Sequence, residues 1–527
     1  MSGNRLVGVV AFVLLCVAGW NGLGAQNERR ALDASGPVER VIAGGETQSY
    51  SLRLEAGEFV HVVIAQRGVN VASTLVGVDG TTLLDADGSP STQEAEWITH
   101  VAAVSGEHEI HVRAVDNGAP PGRYEIRIEE RHATAAGDDS RLSAQREFTE
   151  ATRLFREKNS RSALEHYQNA LAIYRASRRR VEEAVILNSV ARVHVSLADY
   201  QTALQRYEEA LSVYRELGDV PGQGITEHET GNAYFNISRY EDARGHYERA
   251  LEARRKAADR AGEASTLRSL GTAYSALSQQ EKAIEFYEQA LTISRADKLR
   301  AEEARTLGNL GISHSLLGQP EKALESFEAA LAISRELKDR ATEGNMLGNL
   351  GVVYRNLSRF DEALRYYDQL LAISRELADR AGEARALNNI GHVHISLSQY
   401  EKALEYFTQS LAAFTEVQNR NGQGFGLSNL GNTYFWLSAY DKAIEYSEQA
   451  LVIFREIKNR VEEGRTLNNL GDTYDALGQH ERAVDYYEQS LAIARAVKSP
   501  AAEARALGSL GIAYTALGRY DDAIRSN

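Results

Sequence analysis

A glycine returns every forty residues along this chain, at Gly231, Gly271, Gly311, Gly351, Gly391, Gly431, Gly471 and Gly511. Around it, apolar residues fall three and four apart, as Leu267, Leu270, Tyr274 and Leu277 do, which is the spacing of one helix face. Glycine inside a helix costs about 1 kcal/mol relative to alanine. Eight such glycines at one register require a shared cause, namely a neighbouring helix passing too close for a Cβ. The expected partner is the small residue of a second helical stripe, at Ala243, Ala283, Ala323, Ala363, Ala403, Ala443, Ala483 and Ala523. A helix pair packed this way keeps apolar surface on both sides, and only stacking onto the next pair buries it. Propeller blades have a similar period but need strands, and these units have none.

Within each unit a turn separates the two stripes: Ser278-Gln279-Gln280 in one, and Gly318-Gln319-Pro320 in the next, with proline suited to a first helical turn. The second stripe runs Ala283, Ile284, Tyr287, Ala290, Leu291 and Ser294, so the helix tyrosines read as core. Asp259, Asp339, Asp379, Asn419 and Asn459 close successive units and can cap the helix that follows. Glu263, Glu303, Glu343, Glu383, Glu463 and Glu503 come next, in the first turn, where the helix dipole favours a carboxylate. The small-residue register from Ala163 to Ala523 counts about ten units over residues 141–527. The first unit lacks the glycine and the second carries Ala191 in its place, as terminal repeats commonly do. The tenth stops at Ser526-Asn527, which predicts an incomplete last repeat, as in a fragment of a longer protein.

The order Leu270-Gly271-x-x-Tyr274, a turn, then Ala283-x-x-x-Tyr287-x-x-Ala290-Leu291 resembles the tetratricopeptide repeat (TPR). The extra residues Arg295 to Arg300 resemble the longer subclass whose units carry Asn-Leu-Gly. The resemblance implies a mainly α chain, a right-handed α-solenoid of helix-turn-helix TPR units. It also implies protein or peptide partners held in a concave groove lined by the first helices.

On those helices the positions outside the apolar stripe include Arg305 with Asn309, Asn345 with Asn349, Arg385 with Asn389, Arg465 with Asn469, and also Asn429 and Arg505. Residues four apart share a helix face. Asparagine is a mediocre helix former, so its return two residues before the glycine needs a reason. An amide both donates to and accepts from a peptide main chain, and arginine offers a fork for a carboxylate. The same amides can instead bond neighbouring repeats and set the superhelix, and both explanations stand at this point. His392, Asn432 and Asp472 project three residues further along. Phe435 and Trp436 fall where other units carry Ser275 and Ala276; they are either an anchor for a partner or the filling of a wider gap.

Residues 38–131 are of another kind. Tyr50–Leu54, Phe59–Ile64, Ser73–Val78, Ile98–Val104, His108–Val112 and Tyr124–Ile128 read as strands. Turn signals at Glu55-Ala56-Gly57, Asp79-Gly80, Asp87-Gly88, Ser105-Gly106 and Asn117-Gly118 with Pro120-Pro121-Gly122 separate them, which suggests a small all-β sandwich. Tyr50-x-Leu-x-Leu-x-Ala56-Gly57, Asp79-Gly80, Ser105-Gly106-x-x-x-Ile110-x-Val112 and Gly122-x-Tyr124 resemble the pre-peptidase C-terminal type of domain, which implies a jelly-roll-like arrangement. His108 and His111 are three apart, so a strand puts them on opposite faces rather than on one metal. Nothing in this unit looks catalytic, and a spacer or a carbohydrate- or protein-contacting role is expected. A polar link, 132–140, precedes the array, and Asp138, Asp139 or Ser140 can cap its first helix.

At the N-terminus, Arg5, the apolar run Leu6–Gly19 and the small residues Gly22, Gly24 and Ala25 have the layout of a secretory signal peptide, 1–25. The run is short of the roughly 18 apolar residues a membrane span needs, so no stable span is expected after cleavage. Leu15 before Cys16 speaks against a lipoprotein signal. Export to the periplasm or beyond would leave a mature chain without cysteine, and hence without a disulfide, a thiolate nucleophile or a cysteine-based metal site. A net charge of -14, with Arg178-Arg179-Arg180 the densest basic cluster, argues against nucleic acid as a partner. No zinc, nucleotide-binding or Rossmann motif is present; Gly422-Gln423-Gly424-Phe425-Gly426 lies in a repeat register and lacks a preceding strand. The expectation is a non-enzymatic scaffold with no cofactor and no metal. The order of signal peptide, sandwich and array also resembles the front half of bacterial proteins that end in a caspase-like CHAT domain. That likeness implies the alternative of a recognition arm for a peptidase whose catalytic domain this chain does not contain.

Overall fold

The structure is a computed structural model describing residues 29–526, except 35, 87–93 and 116–120. The expected signal peptide with Cys16, the turns at Asp87-Gly88 and Asn117-Gly118 with Pro120, and Asn527 lie outside the described residues. The chain divides into two compact units, Met1–Ser177 and Arg178–Asn527.

The first unit holds nine strands: β1 (Arg30–Ala31), β2 (Val38–Ile42), β3 (Thr47–Leu54), β4 (Glu58–Arg67), β5 (Val71–Val76), β6 (Thr82–Ala86), β7 (Glu96–Val101), β8 (Gly106–Ala114) and β9 (Gly122–Ala133). They form a five-stranded sheet, β1-β3-β8-β5-β6, and a four-stranded sheet, β2-β9-β4-β7. Leu52, Leu75, Ile110 and Val112 of one sheet meet Val60, Val62, Ile64, Ile98 and Ile126 of the other in a single core, so the expected sandwich is present. All six expected strands appear within a few residues of their limits. β1, β2 and β6 were not expected; each exposes most of its residues and carries little apolar alternation. Gly57 turns the chain between β3 and β4 with a φ of +77°, a conformation L-residues seldom adopt. His108 is buried and His111 half-exposed, on opposite faces of β8 as their spacing required.

β4 is buried on both faces. Val60, Val62 and Ile64 enter the sandwich, while Phe59, His61 and Val63 on the other side are also covered. The cover is the first helix pair, α1 (Asp138–Arg156) and α2 (Ser160–Ala176). Trp97 of β7 stacks on Phe148 of α1 with centroids 4.8 Å apart, and its indole N–H donates to the Tyr174 hydroxyl of α2 at 3.1 Å. The Arg141 guanidinium lies 4.4 Å over the Phe59 ring and reaches Glu130 at 2.7 Å. Two-sided burial explains why Phe59–Ile64 is a nearly continuous apolar run rather than an alternating one. The link is shorter than 132–140, since β9 runs through Ala133. Gly137, left-handed at φ 104°, takes the cap position of α1, and no side chain caps it. Asp138 instead accepts from the Ala135 N–H at 2.8 Å, which corrects the expected cap.

The second unit is a run of helix pairs, for example Arg260–Ala276 with Gln280–Ala296 and Arg380–Ser396 with Tyr400–Glu416. These pairs stack within the second unit as a solenoid; counting α1 and α2, the chain has twenty helices among the described residues. The side chains of Asp259, Asp339, Asp379, Asn419 and Asn459 accept from backbone N–H groups three residues on, capping the helices that follow.

The glycines face a different partner from the one expected. A Cβ on Gly271 would lie 2.5 Å from the Tyr287 ring, one on Gly311 2.7 Å from Phe327, and one on Gly391 2.6 Å from Phe407. The close neighbour is therefore the aromatic residue one helical turn beyond each alanine; the alanines are buried but are not what excludes the Cβ. Among the described residues one unit lacks the ring: Gly431 faces Ser447, and the carbonyl of Ala443 comes within 3.2 Å of the Cβ position.

The first-turn glutamates do more than answer the helix dipole. Glu343 is buried and accepts from Arg335 of the preceding helix at 2.8 Å and from Arg340 of its own at 2.6 Å. Arg340 also pairs with Glu376 at the end of the second helix. Glu303, Glu383 and Glu463 repeat the double clamp through Arg295 and Arg300, Arg375 and Arg380, and Arg455 and Arg460.

Candidate binding site on the first helices

The expected asparagines lie between first helices of successive units. Asn309 donates to the Thr272 hydroxyl at 3.1 Å, and Asn469 to Oδ1 of Asn432 at 2.8 Å. Asn429 donates to Oδ1 of Asn388 at 2.8 Å and to Nε2 of His392 at 3.3 Å. In each case an amide two residues before one glycine reaches the residue just after the preceding glycine. The bonding between neighbouring repeats is thus realised at these three positions, while Asn349 and Asn389 are half-buried. Arg305, Arg385, Arg465 and Arg505 are exposed. Arg465 reaches Glu462 at 2.7 Å, Arg385 lies 3.6 Å from Asp379, and Arg305 lies 3.7 Å from Glu302.

Seven of the expected residues converge. His392, Asn429, Asn432, Phe435, Trp436, Asn469 and Asp472 line one half-open cavity of about 270 Å³, together with Ile395, Phe407 and Thr433. They come mainly from three successive first helices, Arg380–Ser396, Arg420–Trp436 and Arg460–Ala476. Arg305, Asn309, Asn349, Arg385, Asn389, Arg465 and Arg505 do not line it. Trp436 is 58% exposed, so it does not fill a gap between units. Phe435 is half-buried, edge-on to Trp436 at 5.5 Å and tilted against Tyr440 at 5.9 Å. The two aromatics are therefore a braced wall rather than an equally exposed pair.

The cavity resists charge on its imidazole. Burial holds His392 down at about 4, aided by the positive charges of Arg355 and Arg465. Its Nε2 accepts from Asn429, which places the ring proton on Nδ1. Burial pushes the Asp472 carboxyl up, opposed by donation from the Tyr487 hydroxyl at 2.8 Å and from the Asn468 amide at 3.2 Å.

Tyr487 was read from its register only as core, yet its hydroxyl reaches the site. The same reach recurs from Tyr247 to Asn232 and from Tyr287 to Thr272. At the corresponding place in the Gly431 unit the ring is replaced by Ser447, and Asn432 turns its oxygen to Asn469. That break in a register otherwise aromatic from Tyr167 to Tyr487 was visible in the sequence and would have pointed to this unit. Among the described residues, no group of three His, Cys, Asp or Glu side chains is placed to hold a metal, and no helix is long and apolar enough to cross a membrane.

Profiles of the tetratricopeptide repeat match residues 151–216, 223–296, 342–416 and 425–496, with related profiles on 304–337 and 468–526. The chain belongs to the tetratricopeptide repeat family. No curated protein matches it significantly. Among solved structures, this TPR chain is similar to BtubC from P. vanneervenii, at 21% identity over 42% of this chain and 91% of that one, with a TM-score of 0.37. It is also similar to the apo form of the quorum sensor NprR from B. thuringiensis, at 16% identity over 64% and 99%, TM-score 0.49. A third likeness is to a signal transduction ATPase with a TPR sensor from Pyrococcus horikoshii, at 17% identity over 69% and 52%, TM-score 0.47.

Proposed function

We propose that this TPR chain is an exported, non-enzymatic scaffold that binds a protein or peptide along its first-helix face, centred on the cavity beside Trp436. The observation that carries the reading is the meeting of an exposed tryptophan with three asparagines in a half-open cavity. Tryptophan at a surface supplies large contact area at low entropic cost, and anchors of this kind dominate binding energies. The amides that tie repeat to repeat keep donors and acceptors at fixed positions for a main chain. Export rests on the signal-peptide layout of residues 1–25. Selection of a displayed library of random dodecapeptides on the full chain, with counter-screening on Trp436→Ala, tests the binding reading. Peptides that lose at least tenfold in affinity on Trp436→Ala, with unchanged melting, support it; recovery of none that depends on Trp436 overturns it.

A second reading, the recognition arm of a caspase-like peptidase, draws on the order of signal peptide, sandwich and array. Sequencing past the codon for Asn527 tests it: an α/β domain with His and Cys supports it, and an immediate stop overturns it.

A further inference from the structure

We propose that the cavity beside Trp436 receives one basic side chain of the bound peptide, its cation meeting Asp472 and its aliphatic stem lying along Trp436 and Phe435. This rests on the reading of the first-helix face as a peptide site.

Asp472 is the one carboxylate among the lining residues. Its oxygens accept from neutral donors, the Tyr487 hydroxyl and the Asn468 amide. Among the described residues, no lysine, arginine or histidine nitrogen forms an ion pair with it within 4.0 Å, a distance that other buried and half-buried acids of the array satisfy. A half-buried carboxylate without a counter-ion is a standing cost that an entering cation removes. The lining cannot supply that cation itself, because His392 uses its Nε2 as an acceptor and burial keeps the ring neutral. The remaining polar lining, Asn429, Asn432, Asn469 and Thr433, carries no charge.

The wall suits the same guest. An ammonium or guanidinium near an indole face gains from the ring quadrupole, and the methylene stem covers apolar surface while the head stays hydrogen-bonded. A volume of about 270 Å³ admits a lysine or arginine side chain end-on. An acidic side chain would face Asp472, and an aromatic one would strip water from the carboxylate without replacing it. Outside the lining, Arg465 is already bonded to Glu462, and Asp475 to His480. Arg355 and Arg465 act on His392, and Arg505 on Asp472, from a distance and oppose any entering cation, so the gain comes from its direct contact with Asp472. Along the register after the glycine stand Asn232, Thr272, Ile312, Val352, His392, Asn432, Asp472 and Ile512, so the acid occurs once.

The test uses Trp436-dependent peptides selected on the full chain, synthesised with each basic residue in turn replaced by norleucine, and titrated against the wild type, Asp472→Asn and Trp436→Ala. The expected result is one position where norleucine costs at least about tenfold on the wild type and little on Asp472→Asn. Trp436-dependent peptides that tolerate norleucine everywhere overturn the basic-side-chain proposal and leave the peptide site standing. Absence of any Trp436-dependent peptide overturns both. If Asp472→Asn melts early because one of its two acceptor oxygens becomes an amide NH2, leaving one oxygen for the two donors Tyr487 and Asn468, the norleucine series on the wild type alone decides.

Discussion

The Asn469 amide donates to the Asn432 side-chain oxygen at 2.8 Å, joining first helices of consecutive units. Asn309 and Thr272 are joined in the same way four units earlier, so the bond belongs to the stacking of units rather than to one cavity.

Asn429→Ala removes two such bonds from a buried side chain and is expected to lower stability by about 1–2 kcal/mol. Asn389→Ala, half-buried, is expected to stay within about 0.5 kcal/mol. Urea unfolding followed by circular dichroism compares the two. Equal midpoints would show that the repeat-to-repeat amides do not support the fold.

Gly271→Ala drives a methyl into the Tyr287 ring, and the expected loss is about 2–3 kcal/mol. Gly431→Ala meets the rotatable Ser447 hydroxyl and a carbonyl at 3.2 Å, so its loss is expected to be smaller. Both are read from denaturant midpoints, and the reverse order would contradict the ring-exclusion account.

Burial pushes the Glu343 carboxyl up, but hydrogen bonds from Arg335 and Arg340 outweigh it and hold the group below the ordinary 4.5. A depressed carboxylate stabilises the fold above its unfolded value, and that contribution disappears as pH falls from about 4.5 through the folded value. Glu343→Gln is therefore expected to flatten the acid limb of a plot of urea midpoint against pH. The wild type and the variant should converge at the acid end.

His392 acts in the same direction over a higher pH range. Its folded value near 4 lies below the ordinary 6.5, so between those limits the unfolded chain takes up the proton and stability falls as pH drops. Proton NMR of the imidazole should show no titration above about pH 5, and a midpoint near 6.5 would contradict the burial.

Trp97→Ala removes both the stack on Phe148 and the donor to Tyr174, with an expected loss of about 3 kcal/mol in the first unit. Limited proteolysis should then cut the 134–137 link faster, and an unchanged rate would show that the sandwich holds the helix pair by other contacts.

The helix pairing was legible because the forty-residue period and the three-four spacing have one common solution. The partner of the glycine was not, since Ala283 and Tyr287 are four apart and share a helix face, so register alone cannot choose between them. The run Phe59–Ile64 already carried the sign of a strand covered on both sides, but what covered it lay eighty or more residues away at Phe148. For the asparagines the ambiguity was chemical: an amide that suits a peptide main chain suits a neighbouring amide equally. The convergence of His392, Asn432 and Asp472 on one cavity followed from their register, whereas the contribution of Tyr487 needed the reach of its hydroxyl.

Ser447, where the units before and after it place Phe407 and Tyr487, has a consequence for any bound strand. An array of near-identical units offers translationally equivalent seats, and a ligand reading only the common features could shift by one unit at no energetic penalty. The loss of one ring, next to a single exposed tryptophan and a single acid, lifts that degeneracy. It gives a periodic surface one origin from which a partner's register can be counted.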